Sequence, residues 1–151
     1  MKKESLYLDT SVPSAYFDQR AKERQEATIK FWNDVLPEFN VYISEITLEE
    51  LGNTKNESLR IKLKELVGKF EILKPNEKIN DLAKAYIVNK IFSEKYIDDA
   101  LHTAFASFYE INYLISWNFE HIVKVKTRRL VNSINILNGL GEIEIISPQE
   151  L

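Results

Sequence analysis

The sequence contains no cysteine among its 151 residues. A disulfide framework, a thiol nucleophile and a cysteine-ligated zinc or iron–sulfur site are therefore excluded. Glycine and proline occur only four times each, which excludes collagen-like and low-complexity classes. No apolar run approaches the roughly 18 residues that a membrane span needs, and the first apolar segment meets an acid at Asp9. We therefore expect a soluble, cytoplasmic protein without a signal peptide or membrane contact.

The residues that are present suit a globular domain of moderate size. Hydrophobic residues make up 44% of the chain and charged residues 28%, and 20 basic against 23 acidic side chains give a net charge of −3. This apolar fraction is enough to bury a core, and we predict one domain over residues 1–151. The whole-chain charge predicts no general affinity for nucleic acid.

Short apolar segments alternate with helical periodicity along the chain. The predicted strands are 5–9, 41–43, 70–73, 113–117 and 142–146. The predicted helices are 14–36, a helix capped by Thr47, 56–68, 77–92, 97–110 and 126–138. Strands that are separated by helices need crossover connections, so we predict an α/β fold whose mostly parallel sheet is covered on both faces.

Several acids and one amide lie where a predicted strand ends or a helix begins: Asp9, Glu49, Glu50, Asp98, Asp99 and Asn118. Ligands of open parallel sheets bind beyond the carboxyl ends of the strands, so these side chains are candidates for one site. Clustered carboxylates repel one another unless a cation offsets them. Mg²⁺ or Mn²⁺ suits such oxygen ligands, and it can activate a water for phosphate chemistry.

Each candidate also has a structural interpretation. Asp9 fits a turn or a helix cap, and Asp99 with its neighbour Asp98 is favoured at a helix start by the helix dipole. Glu50 is placed to complete a capping box with Thr47. His102 lies one turn after Asp99 and fits either a supporting role or that of a bystander. Only the joint placement of these residues favours a site.

Four stretches of the sequence resemble, in order, the successive motifs of PIN domains. They are Tyr7-Leu8-Asp9-Thr10-Ser11, Ile43 to Leu51, Asp99-Ala100-Leu101-His102 and Ser116 to Ile122. The chain is similar in particular to VapC-like toxins of type II toxin–antitoxin systems, over nearly its whole length. The resemblance implies a three-layer α/β/α fold with about five parallel strands and a Mg²⁺- or Mn²⁺-dependent ribonuclease activity.

The resemblance also assigns roles to individual residues. Asp9, Glu50 and Asp99 match the family's first three acids and its metal-binding positions, with Glu49 as the fallback for the second. Asn118 stands where the family often has aspartate, and its amide oxygen is a candidate to ligate the metal or to orient a metal-bound water in catalysis. The change removes one negative charge, so we expect weaker binding of a second metal ion and a one-metal mechanism. It also leaves open a catalytically weakened or inactive PIN-like module that binds RNA or a protein partner.

A local excess of positive charge fits an RNA substrate. No acid occurs between His121 and Gly141, and the basic residues there are Lys124, Lys126, Arg128 and Arg129. They are candidate phosphate contacts, although a solvated helix start explains them equally well. The candidate supporting residues around the acids are Thr10, Ser11 and His102; the two hydroxyl residues also fit helix caps.

Three functions are compatible with these residues. The leading one is an endoribonuclease, and the second is the non-catalytic binding module. The third is a phosphotransferase with Asp9 as nucleophile, which is disfavoured because Ser11 stands where the second acid of a DxD motif belongs. The VapC-like resemblance further implies a small antitoxin partner and a homodimer.

Overall fold

The structure, a computed structural model, describes residues 2–151. Its centre is a five-stranded sheet in which every neighbouring pair of strands is parallel. The strands are β1 (Ser5–Leu8), β2 (Asn40–Ser44), β3 (Glu71–Leu73), β4 (Tyr113–Ile115) and β5 (Glu144–Ile146). They are ordered β3-β2-β1-β4-β5 across the sheet. The chain thus winds outward from β1 to one edge and then returns to build the other side.

In the described part of the chain, seven α-helices connect and cover the strands. They are α1 (Ser11–Tyr16), α2 (Lys22–Asp34), α3 (Glu45–Gly52), α4 (Glu57–Val67), α5 (Glu77–Val88), α6 (Ile97–Phe108) and α7 (Val125–Leu137). Short 3-10 helices occupy 36–38, 94–96 and 148–150. Within residues 2–151, every helix is too short or too polar to cross a lipid bilayer.

The core has two halves, one on each face of the sheet. In β1, Leu6 and Leu8 pack with α1, α2 and α4, whereas Tyr7 packs with α5, α6 and α7. Successive side chains of a strand point to opposite faces, and a sheet covered on both sides needs apolar residues at every position. The continuous apolar run of the first strand is therefore the signature of its central place, and the three-layer α/β/α prediction is confirmed.

All five predicted strands are present, each within two residues of its predicted ends. The predicted helix over 14–36 is wrong, because this segment forms α1 and α2 with a break between them. In the break, the Asp18 carboxylate accepts hydrogen bonds from the backbone N–H and the Nε of Arg20. Aspartate that bonds nearby backbone in this way competes with helix formation.

The predicted start of α3 at Thr47 is also wrong. The helix begins at Glu45, with Ser44 as its N-cap, and Thr47 is the third helical residue. Ser44 and Thr47 form the capping box with each other. Glu50 therefore has no capping role, and its carboxylate instead bonds Thr10 and His102.

Candidate active site

The candidate residues meet at the carboxyl end of the sheet, where the winding changes direction. Asp9 directly follows β1, and the segment 116–118 directly follows β4, the neighbouring strand. The chain leaves β1 toward one edge of the sheet and enters β4 to build the other, so a crevice opens between them. Asp99 lies in the first turn of α6 and Glu50 lies in α3.

Asp9 is held in place by two serine hydroxyls. Its side chain accepts hydrogen bonds from Ser11 Oγ and the Ser11 N–H (3.1 Å) on Oδ1, and from Ser116 Oγ on Oδ2 (2.6 Å). The backbone N–H groups of Trp117 and Asn118 donate to these two hydroxyls. Both serine protons are thereby directed to the carboxylate, and Oδ2 keeps one acceptor position for a further ligand.

Burial has a large effect on Asp9, which is only 4% exposed. Burial raises the pKa of the Asp9 carboxyl, while the positive charge of His102 and the hydrogen bonds from Ser11 and Ser116 lower it in part. A buried carboxylate whose negative charge is only partly offset is destabilised by the loss of its hydration. A cation beside Oδ2 would restore the balance.

The hydroxyls of Thr10 and Ser11 do not cap α1. Thr10 stands at the N-cap position but makes no capping hydrogen bond. Its hydroxyl instead donates to Glu50 Oε1 at 2.7 Å, and the Ser11 hydroxyl donates to Asp9. The interpretation of this pair as helix caps is therefore wrong. Both side chains hold the carboxylates of the candidate site.

Glu50 belongs to a buried chain of hydrogen bonds. Its Oε1 lies 2.5 Å from His102 Nε2, and His102 Nδ1 lies 2.6 Å from the Tyr7 hydroxyl. That hydroxyl lies 2.7 Å from Ser44 Oγ, which is itself fixed at the start of α3. His102 is only 2% exposed. The interpretation of His102 as an exposed bystander is therefore wrong.

The charges of this chain stabilise each other. Burial disfavours the imidazolium of His102, but the hydrogen bond to Glu50 and the charges of Asp9, Glu50 and Asp99 outweigh it, so the pKa of His102 is raised. Burial disfavours the Glu50 carboxylate, but the hydrogen bonds from His102 and Thr10 outweigh it, so its pKa is lowered. Glu49, the fallback, lies on the exposed side of α3. Of the two glutamates, only Glu50 joins the cluster.

Asp99 faces the same crevice from α6. Burial is the largest cause that raises the pKa of Asp99 to about 6, and the nearby charge of Asp9 adds to it. Asn118 approaches Asp99 with its amide nitrogen (3.4 Å), because its amide oxygen accepts the backbone N–H of His121. Asn118 thus donates to Asp99 in this conformation. Asp98 is exposed and points away from the cluster.

The oxygen donors of the cluster decide whether it suits a divalent cation. Among residues 2–151, no three His, Asp or Glu side chains are arranged as a preassembled metal site. Glu50 is engaged by His102, so Asp9 and Asp99, which are close enough for the charge of Asp9 to act on Asp99, remain as the two available carboxylates. Mg²⁺ is usually held by one or two carboxylates with several waters. The two carboxylates supply hard oxygen ligands for such an ion. Their mutual repulsion would also be relieved by its positive charge.

The basic residues lie on the segment that follows the site. Lys124, Lys126 and Arg129 are exposed near the start of α7. Arg128 is half-buried and lies 3.6 Å from the carboxylate of Glu150. Its charge is partly balanced within the chain, so three of the four predicted cations stay available to a phosphate backbone.

Sequence reasoning missed two residues that hold the site together. Ser116 orients Asp9, and Tyr7 closes the hydrogen-bond chain of Glu50 and His102. A tyrosine inside an apolar strand needs a partner for its hydroxyl when it is buried, which was the available signal for Tyr7. Ser116 gave no such signal, because its role depends on β4 lying beside β1.

The sheet, its winding and the acidic crevice define an α/β protein of the PIN type. A family model for the PIN domain matches residues 6–134. The chain therefore belongs to the PIN domain family, which is a family of nucleases. No protein of curated function is detectably similar to it in sequence.

Solved structures show the same fold at low sequence identity. VapC20 of Mycobacterium tuberculosis, a Sarcin-Ricin loop cleaving toxin, is 14% identical with a TM-score of 0.62, over 92% of this chain and 98% of that one. VapBC-1 of nontypeable Haemophilus influenzae is 17% identical with a TM-score of 0.60, over 96% of this chain and 98% of that one. A toxin–antitoxin complex from Klebsiella pneumoniae is 19% identical with a TM-score of 0.59, over 81% of this chain and 93% of that one. The fold is that of VapC-type PIN proteins.

Proposed function

We propose that the protein is a divalent-metal-dependent endoribonuclease of the VapC-like type, which hydrolyses RNA phosphodiester bonds with Mg²⁺ or Mn²⁺. The observation that carries the proposal is a pair of carboxylates, the buried Asp9 and the half-buried Asp99, at the switch point of a PIN-family sheet. When bound, the ion would supply an activated water and offset the charge that develops on the phosphate. The oxygen of this water would attack phosphorus while the bond from phosphorus to the leaving ribose oxygen breaks, so no covalent enzyme intermediate is needed.

The chain contributes by fixing the acids before substrate arrives. Ser11 and Ser116 hold Asp9 so that Oδ2 faces the crevice with one acceptor position open. Asn118 restrains Asp99 from the opposite side. Preorganised groups of this kind lose little freedom at the moment of reaction. Asn118 is therefore assigned an orienting role in catalysis.

Glu50 is the third acid of the proposal. Thr10 and His102 keep it ionised and oriented beside the crevice. In this position it adds negative charge that attracts the cation, and it is close enough for its charge to affect Asp99. Glu50 would help to hold a bound ion, either through a water or after its carboxylate leaves His102.

RNA is the proposed substrate because the acidic crevice is followed by exposed cations. Lys124, Lys126 and Arg129 suit the phosphate backbone, and Arg128 contributes less because Glu150 balances it. Such contacts give salt-sensitive affinity with little sequence preference. A cytoplasmic location is also part of the proposal.

A protein partner is part of the same proposal. The structural relatives include a toxin–antitoxin complex from Klebsiella pneumoniae and VapBC2 of Rickettsia felis bound to promoter DNA. By likeness to these complexes, we propose a small antitoxin that binds this chain, and a homodimer of the chain itself. Co-expression with the product of an adjacent small gene, followed by size-exclusion chromatography, tests both.

The second candidate is a PIN module that binds RNA or protein without cleavage. Two observations favour it: Asn118 replaces an acid, and the Glu50 carboxylate is already satisfied by His102. Both reduce the negative charge that is free to hold a metal ion. This candidate predicts RNA binding that does not depend on a metal ion.

A cleavage assay separates the two candidates. Purified protein is incubated with labelled RNA in Mn²⁺, in Mg²⁺ and in chelator, and the variants D9N and D99N are compared with D98N. Asp98 is the matched control, since it lies beside Asp99 but is exposed. We expect metal-dependent products from the wild type and from D98N only. Cleavage that persists in D9N and D99N, or no cleavage under any condition, contradicts the nuclease proposal.

A further inference from the structure

A surface cleft of about 580 Å³ opens beside the acidic crevice. It is bounded by the start of α2, by Trp117 and Phe119, and by Gln149 near the carboxyl terminus. Trp117 and Phe119 flank Asn118 in the chain, and adjacent Cα atoms are only about 3.8 Å apart. The cleft and the candidate active site therefore share the segment 117–119 that follows β4.

The cleft presents an aromatic platform. Phe119 is 47% exposed, whereas Trp117 is 5% exposed and is fixed by a hydrogen bond from its indole N–H to Thr28 (2.9 Å). The two rings meet edge to face with centroids 6.2 Å apart. One ring is thus anchored in the core, and it supports a second ring that is open to a ligand.

Cations line the other side of the cleft. The Arg24 guanidinium lies 5.2 Å from the centre of the Trp117 ring, and both residues line the cleft. Among residues 2–151, neither Lys22 nor Arg24 pairs with a carboxylate within 4.0 Å. Glu23 supplies the one opposing charge of the lining. The cleft combines an open π-face with excess positive charge.

We propose that this cleft binds an unpaired nucleotide of a single-stranded RNA, its base stacked on Phe119 and its phosphates near Lys22 and Arg24. Single-stranded nucleic acid is bound by aromatic side chains that stack on bases and by cations that follow the backbone. The inference rests on the proposed function, because the neighbouring crevice would then hold the phosphodiester that is cut. The bound nucleotide is the one adjacent to that bond.

Binding can be measured without cleavage. A fluorescein-labelled 2′-O-methyl oligoribonucleotide of mixed sequence, which lacks the 2′-hydroxyl, is titrated with protein in chelator, and fluorescence anisotropy gives Kd. We expect the variant F119A to raise Kd about tenfold, from the usual loss of one stacked base. The variant F119Y keeps the ring and should stay within about twofold of the wild type.

The cations are tested by salt dependence. Removing Lys22 and Arg24 together should reduce the slope of log K against log salt by about 1.4, since each phosphate contact contributes about 0.7 in single strands. Lys78 is the matched control, because it is exposed on α5, which covers the other face of the sheet. The variant K78A should leave slope and Kd unchanged.

The outcomes separate this inference from the nuclease proposal. Loss of affinity in F119A, with an unchanged unfolding temperature and recovery in F119Y, supports the cleft as a nucleotide site even if no RNA is cleaved. Equal affinity of the wild type, F119A and F119Y overturns it even if RNA is cleaved. A cleft that binds a polypeptide instead gives that second result, and so does a wild type that fails to bind the oligonucleotide.

Discussion

Replacing Asp99 with asparagine should stabilise the metal-free protein above about pH 6. The pKa of Asp99 is raised from 3.8 to about 6 by burial and by the charge of Asp9. The folded state therefore holds this proton more tightly than the unfolded state does. The wild type loses stability as the pH rises from about 4 to about 6, and the loss stays constant at higher pH. Asparagine removes that loss.

The magnitude follows from the shift of the Asp99 pKa. One pKa unit corresponds to about 1.4 kcal/mol, so a rise to about 6 is at most about 3 kcal/mol. Because the side chain is partly exposed, solvent screening reduces this to about 1–2 kcal/mol. For a protein of this size we expect D99N to raise Tm by roughly 3–6 °C.

Thermal unfolding in chelator at about pH 8 and about pH 4 measures this effect. The control is D98N, which removes a charge from the same helix start at an exposed position and loses the same dipole interaction. We expect D99N to gain stability at the higher pH only and D98N to gain none. Added Mg²⁺ should then stabilise the wild type more than D99N, because it binds the folded site. A D99N that is no more stable than D98N at pH 8 would refute the charge repulsion on which the metal site depends.

Three further variants probe other parts of the structure. H102A should lower the free energy of unfolding by about 1–3 kcal/mol in urea denaturation, since it removes one of the two hydrogen-bond partners of Glu50 and one of the two partners of the buried Tyr7 hydroxyl. No change would contradict the buried network. Y86F should cost about 1–2 kcal/mol by removing hydrogen bonds to two polar core residues, yet cleavage should stay at wild-type rate. Removing Lys124 and Lys126 together should lower the salt slope of RNA binding by about 1.4, and an unchanged slope would exclude them as phosphate contacts.

The fold was largely predictable because its signals are local. Buried parallel strands appear as short continuous apolar runs, and crossover helices show their own periodicity. The break after Tyr16 could not be predicted from periodicity, since it depends on the side chain of Asp18 bonding nearby backbone. The start of α3 was misplaced for a similar reason: Ser44 and Thr47 both suit a cap, and only the end of β2 decides between them.

The candidate site was predictable in its acids but not in their contacts. Strand ends and helix starts identify Asp9 and Asp99 from sequence, because parallel topology brings such positions to one edge. The contacts of Glu50 with His102 and Tyr7 join three elements that are distant in the chain. Helical periodicity places His102 outside the apolar face of α6, which predicts an exposed side chain. Only the packed structure shows that His102 is buried and bonded to the Glu50 carboxylate.

A crystal structure of the protein soaked with Mn²⁺ tests the central claim most directly. The anomalous signal of manganese locates the ion without reference to activity. We expect one peak in the crevice, within about 2.5 Å of Asp9 Oδ2 and of an Asp99 carboxylate oxygen. A crevice that stays empty at saturating Mn²⁺, or an ion bound only away from these two aspartates, would contradict it.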